Sequence, residues 1–256
     1  MKIHAAVVCG PGRVRKQNQD NFYLDGSYRG SVDDKRDLVG ELRDLDHGVF
    51  AVADGMGGET HGELASLETV RCLRAACSAG MPDMEQTIQE ANTRVCELIR
   101  SYGGARIGTT FVGVCLSPGR AVLTNIGDSR AYRWRAGEFT QLSVDHTVIR
   151  QLLEQRIITP EQAKTHPARH KITQHIGIFP DEIVIEPYTM VEAPQAGDLY
   201  LLCSDGLTDM VADLRIAEIL GAQGSCRRKA ESLFKTALWN GGRDNCTVMV
   251  VEVAEA

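Results

Sequence analysis

Four aspartates in this 256-residue chain share one setting: each stands at the end of an apolar, strand-like run, beside glycine or a small residue. Asp54 closes VFAVA and opens DGMGG, and Asp205 follows LYLLCS and precedes Gly206. Asp128 follows Ile126-Gly127, and only Asn245 separates Asp244 from CTVMVVEV. Taken singly, such residues are turns, because Asp bonds its own backbone and Gly accepts positive φ. Taken together they describe a site. Strand ends are rigid mounts, and glycine lets a ligand approach the backbone closely. Converging carboxylates repel one another unless a cation neutralises them, and an all-oxygen donor set favours magnesium or manganese over zinc. Four independent turns are the alternative.

Competing chemistries lack their residues. There is no D-x-[DN]-x-[DN]-G calcium loop and no G-x-x-x-x-G-K-[ST] phosphate loop. An aspartyl-phosphate enzyme wants a second Asp two residues after its nucleophile, and Met56 stands there after Asp54. The eight cysteines form no CxxC pair, and most fall within apolar periods. They read as reduced core thiols of a cytoplasmic protein. A net charge of −6, a pI of about 5.7 and the lack of a basic cluster with interleaved aromatics argue against nucleic acid as partner. No apolar run is long enough to span a bilayer, and the N-terminus does not read as a signal peptide, so no membrane partner is expected.

The elements that must carry these residues are legible. Short apolar or β-branched runs predict strands at 3–9, 20–24, 48–53, 108–116, 120–126, 130–135, 184–190, 198–204 and 246–253. Helical periodicity appears three times: at Leu64, Leu67, Val70, Leu73 and Cys77; at Met84, Ile88, Ala91, Val95 and Leu98; and at Ala230, Leu233, Phe234, Ala237 and Leu238. Two helices back to back, then a run of strands, argue for antiparallel sheets covered by helices, in one α+β domain over residues 1–256. Residues 25–47, dense in charge of both signs, read as a solvated loop with room for one helical turn. Residues 145–177 read as an inserted flap, with Thr159-Pro160-Glu161 a helix start.

VRKQNQD at 14–20, VADGMGG at 52–58, GTT at 108–110, NIGDSRAY at 125–132, DHT at 145–147, CSDGLTD at 203–209 and GRDNCTV at 242–248 complete the pattern. In this order they resemble the motif series of the metal-dependent type 2C serine/threonine protein phosphatases, over roughly residues 4 to 253. DGMGG and the flap ending ITQHIG look more like the bacterial branch than the animal enzymes. The resemblance implies a sandwich of two antiparallel β-sheets flanked by pairs of α-helices, with the flap inserted between strands.

It also implies roles. Asp54 would bridge two divalent cations (Mn2+ or Mg2+), the Gly55 carbonyl would serve one, and Asp205 and Asp244 the other. Asp128 would help Asp205 hold a third, weaker cation. Asp20 would order metal-bound water, and Arg15 would grip the substrate phosphate with its guanidinium fork. The implied reaction is direct attack on a phosphoserine or phosphothreonine monoester by a hydroxide bridging the metals. Its implied partners are phosphoproteins and a cognate bacterial serine/threonine kinase, and the enzyme is expected to be a monomer. Two positions depart from the family: Gln19 stands where glutamate is common, and Met56 where animal members carry a histidine thought to protonate the leaving oxygen. The general acid is therefore open between His61 and metal-bound water, and Asp209 reads as structural. The alternative is a non-catalytic phosphoprotein-binding module on the same fold, favoured by loss of a metal aspartate; none is lost.

Overall fold

The computed structural model describes residues 1–32, 36–56, 61–163 and 165–255. The chain opens with β1 (Lys2–Gly10), β2 (Asn21–Leu24), β3 (Ser27–Tyr28), β4 (Leu38–Leu45), β5 (Gly48–Ala53) and β6 (Gly55–Met56). Helices α1 (Gly62–Ser78) and α2 (Met84–Ser101) follow. Next come β7 (Gly108–Thr109), β8 (Phe111–Ser117), β9 (Arg120–Ile126), β10 (Arg130–Arg135) and β11 (Glu138–Gln141). The flap holds α3 (Val148–Glu154) and α4 (Pro160–Ala163), and β12 (Tyr188–Glu192) and β13 (Leu199–Cys203) leave it. The chain ends with α5 (Asp205–Thr208), α6 (Asp213–Gly221), α7 (Cys226–Trp239) and β14 (Cys246–Glu255).

Two six-stranded antiparallel sheets stack face to face, in the orders β11-β10-β13-β14-β1-β4 and β12-β9-β8-β5-β2-β3. Successive side chains on a strand point to opposite faces, and here both faces are covered. On β1, Ile3, Ala5, Val7 and Cys9 enter the core between the sheets, while Ala6 and Val8 pack outward under α6 and α7. On β5, Phe50 and Val52 face inward, while Val49, Ala51 and Ala53 meet α1 and α2. Strands buried on both faces read as unbroken apolar runs, which is why their positions were plain in the sequence. The α+β sandwich flanked by helices is the observed architecture.

One reading needs correction. The charged segment 25–47 is not simply a loop: β3 and β4 lie within it, and β4 pairs with β1 from Ile3↔Leu45 to Cys9↔Leu38. Leu38, Leu42 and Leu45 pack against the inner core, while Arg43 and Asp44 stay exposed. A bulge, marked by Asp44 at φ 59°, breaks the alternation between Leu42 and Leu45. Charge on a bulged edge strand protects that edge from pairing and hides its period. Residues 33–35 of this segment lie outside the described residues.

Candidate active site at the open end of the sandwich

The inner-face series of four strands run to the same end of the molecule. β2 sends Phe22 and Leu24 inward, β5 Phe50 and Val52, β13 Tyr200 and Leu202, and β14 Met249 and Val251. One step further along each series stand Asp20, Asp54, Ser204 and Thr247. The pairings Asn21↔Ala53 and Cys203↔Val248 put these four at one end, and Ser204 and Thr247 reach across the sandwich to Asp20. The apolar core thus stops at a layer of carboxylates and hydroxyls.

Asp54, Asp205, Asp128, Asp244 and Asp20 lie close enough for their charges to act on one another. Burial, followed by the charges of Asp20, Asp205, Asp128 and Asp244, holds Asp54 well above the usual carboxylate range. Asp205 is raised in the same way by burial, then by Asp128, Asp209, Asp244 and Asp20. Burial first, with the charge of Asp145 next, pushes Asp128 up to about 6, and burial likewise takes Asp20 to about 6. Asp20 is fully buried, and its Oδ1 has no hydrogen-bond partner among the described residues. Crowded carboxylates, one of them fully buried with an orphaned oxygen, are all hard donors and fit divalent cations of the magnesium and manganese kind.

Backbone contacts fix each carboxylate's mount. Asp54 N donates to Thr110 Oγ1 at 3.1 Å, and Asp54 O accepts from Thr110 N and from Thr109 Oγ1, both at 2.9 Å. Gly55 has no room for a side chain: a Cβ there would meet Gly62 O at 2.3 Å and Gln19 O at 2.5 Å. Asn245 Oδ1 accepts from Gln19 N at 2.8 Å, while its Nδ2 donates to Gln17 O at 2.8 Å. The buried Arg29 donates to Asn18 O and Asp20 O, both at 2.7 Å. Gly127, at φ 101°, turns the chain before Asp128, and its N–H donates to His146 Nδ1 at 3.1 Å. Burial lowers the His146 pKa, so the ring stays neutral and able to accept. Arg130 grips Asp145 at 2.6 Å and ties the first residue of the flap to β10.

A cavity of about 1040 Å³ opens between this floor and the flap, lined among others by Arg15, Asp128, Asp205 and Asp244. Asp20 and Asp54 do not line it. Arg15 is half-exposed at the rim, with Nη2 donating to Asp244 Oδ2 at 2.6 Å. Asp209, exposed, sits 3.7 Å from His170 Nδ1 of the flap, and together with Asp205 they place one ligand atom each within 4.8 Å of one another. His61 packs its ring against Tyr102, with centroids 4.5 Å apart. The Gln19 side chain donates to Glu63 at 3.3 Å, so a carboxylate stands beside the position where the sequence lacks one. Gly57 and Gly58, expected to clear space beside Asp54, lie outside the described residues.

A sequence model of the family described as Protein phosphatase 2C matches residues 33–238. The chain belongs to that family. Relatives that match nearly the whole chain are named serine/threonine phosphatases, and this chain is a phosphatase enzyme of that family. It is 32% identical over 260 residues to the serine/threonine phosphatase stp of Listeria innocua, covering 98% of this chain and 96% of that one. The crystal structure of the Mycobacterium tuberculosis phosphatase PstP/Ppp superposes with a TM-score of 0.83 at 31% identity, with 100% of both chains covered. A structure of the PstP catalytic domain in complex with two manganese ions superposes at 0.81 with 30% identity, covering 99% of each chain.

Several supports of this candidate site went unassigned in the sequence, although they lie within its motifs: Thr110, His146, Ser204, Asn245 and Thr247. The signal for two of them was present. Ser204 and Thr247 are hydroxyls at inward positions of otherwise apolar alternations, where a polar group needs a buried partner. Arg29 carried no such signal, because nothing in its neighbourhood marks it as buried.

Proposed function

We propose that this phosphatase removes phosphate from phosphoserine and phosphothreonine in proteins by direct attack of water, opposing a serine/threonine kinase of its own cell. The observation that carries the reading is the meeting of Asp54, Asp205, Asp128, Asp244 and Asp20 at one end of the sandwich, with Arg15 on the rim above them. Asp54 would hold two divalent cations in common, helped by the Gly55 carbonyl on one side and by Asp205 and Asp244 on the other. Asp128 and Asp205 would hold a third, more weakly. When bound, the cations lower the pKa of water and shield the phosphate charge. The protein's own part is orientation. Arg15 turns its fork from Asp244 to the phosphate oxygens, because a planar cation that stays charged matches them in pairs. Asp20 orders water beside Asp54 from its buried position.

Hydrolysis of p-nitrophenyl phosphate and of a phosphothreonine peptide, with and without Mn2+, tests this. Both should turn over with the metal and stop after stripping with chelator. Full turnover in excess chelator after stripping contradicts the metal mechanism, and peptide binding without turnover returns the chain to a non-catalytic module.

A further inference from the structure

Asp20 takes both of its hydroxyl donors on one of its two carboxylate oxygens. Ser204 Oγ and Thr247 Oγ1 both donate to Oδ2, each at 2.7 Å. Oδ1 is buried and accepts nothing among the described residues. Of the neighbouring charges that raise Asp54, that of Asp20 is the largest. The terminal torsion of an aspartate is broad and roughly two-fold, so nothing intrinsic decides which oxygen faces Asp54. Two donors converging on one oxygen do decide it.

Each hydroxyl is itself oriented. Ser204 Oγ accepts from Thr247 N at 2.9 Å, which leaves its single proton for Asp20. Thr247 Oγ1 has a 2.7 Å contact to Asp20 and a 3.1 Å contact to Cys9 Sγ, and its one proton goes to the shorter. Cys9 then donates its S–H to Thr247, while Asn18 Nδ2 donates to the sulfur at 3.2 Å. Burial pushes the Cys9 thiol up to about 11, so that proton is present at neutral pH. The whole chain from Asn18 through Cys9 and Thr247 to Asp20 is buried, and so is Ser204.

We propose that Ser204 and Thr247 are positioning residues of this reaction, locking the Asp20 carboxylate so that Oδ1 is presented to the cation site beside Asp54. The inference rests on the reading that Asp20 serves that site. It assigns both hydroxyls a purpose that packing alone does not need, since an apolar side chain would continue the inward series on β13 and β14 equally well.

Mn2+ titration by calorimetry on the full chain tests it through a double-mutant cycle. Thr247→Val keeps the shape and deletes the donor. It should weaken Mn2+ binding about 10-fold and lower kcat on p-nitrophenyl phosphate at unchanged KM, the usual scale for groups that orient ligands. Thr247→Ser, which keeps the hydroxyl, should restore both. In an Asp20→Ala background, Thr247→Val should leave Mn2+ affinity where Asp20→Ala alone put it. Equal weakening in both backgrounds makes Thr247 a packing residue and overturns the proposal. If Asp20→Ala alone binds Mn2+ like the parent, the reading of Asp20 has failed, and the proposal falls with it. Ser204→Ala repeats the cycle on the second donor should Thr247→Val fold poorly.

Discussion

Arg15 rests on Asp244, a proposed cation ligand, with both side chains part-exposed. An arginine that serves the phosphate leaves that contact when substrate arrives, so its loss removes a substrate interaction and frees a metal ligand. Arg15→Ala should raise KM for a phosphopeptide by about 10- to 100-fold, the scale of a charge-assisted hydrogen bond. Mn2+ affinity, measured by calorimetry, should stay level or tighten. Equal loss of both would make Arg15 structural. For Asp128 the competing role is the tight turn between β9 and β10. That turn is held by Gly127 at φ 101°, by Gly127 N donating to His146 Nδ1 and by His146 N donating to Gly127 O, while the Asp128 carboxylate adds a bond from its own backbone N–H. Asp128→Ala should therefore melt within a few degrees of the parent yet turn over slowly. A large fall in melting temperature with unchanged metal dependence would restore the turn reading.

At the scale of elements, the flap stands apart from the rest. Neither α3 nor α4 buries a residue, whereas α1, α2 and α7 each bury a full face. The flap is anchored at its two ends instead: Asp145 by Arg130, and Ile176 by a bridge to Thr109. Its middle can change without cost to the core. Replacing residues 150–165 by a short linker should slow a phosphoprotein more than p-nitrophenyl phosphate, because the ester needs only the floor and a protein also meets the roof. Equal proportional losses in the two assays would show that the segment only supports the core. The same contrast explains what the sequence disclosed. β5, β9, β13 and β14 are buried on both faces, so their apolar runs announced them, and the four aspartates at their ends or near them were found with them. β4 was hidden because its charge faces water and a bulge breaks its period. α5 and α6 were missed because α5 is a single turn after β13, and α6 buries only Ile216, Ile219 and Leu220. Hydrogen-bond partners such as Asn245 to Gln17 and Gln19 join residues more than two hundred positions apart, and no local pattern encodes that.

For the whole molecule, the acid cluster links stability, pH and metal. A carboxyl whose pKa is raised by folding binds more protons folded than unfolded, so its contribution to stability falls as pH rises. For Asp20 and Asp128 that fall runs from the ordinary value of 3.8 to about 6, and Asp54 and Asp205, also raised, fall in the same direction. His146, held below its usual 6.5 by burial, gains stability with rising pH and opposes them. Divalent cations bind the ionised carboxylates alone and displace their protons, so they recover the lost stability where the acids have ionised. Thermal melting should show this as a Mn2+-induced rise that is small at pH 5 and large at pH 7.5. His146 is common to the chelated and loaded arms, so their difference isolates the acids. At a free Mn2+ concentration about 100 times its Kd, mass action adds about 2.7 kcal/mol, or roughly 5–10 °C for a domain of this size. A Mn2+-induced rise of equal size at both pH values would mean that the cluster is already neutralised without metal, and that the cations bind elsewhere.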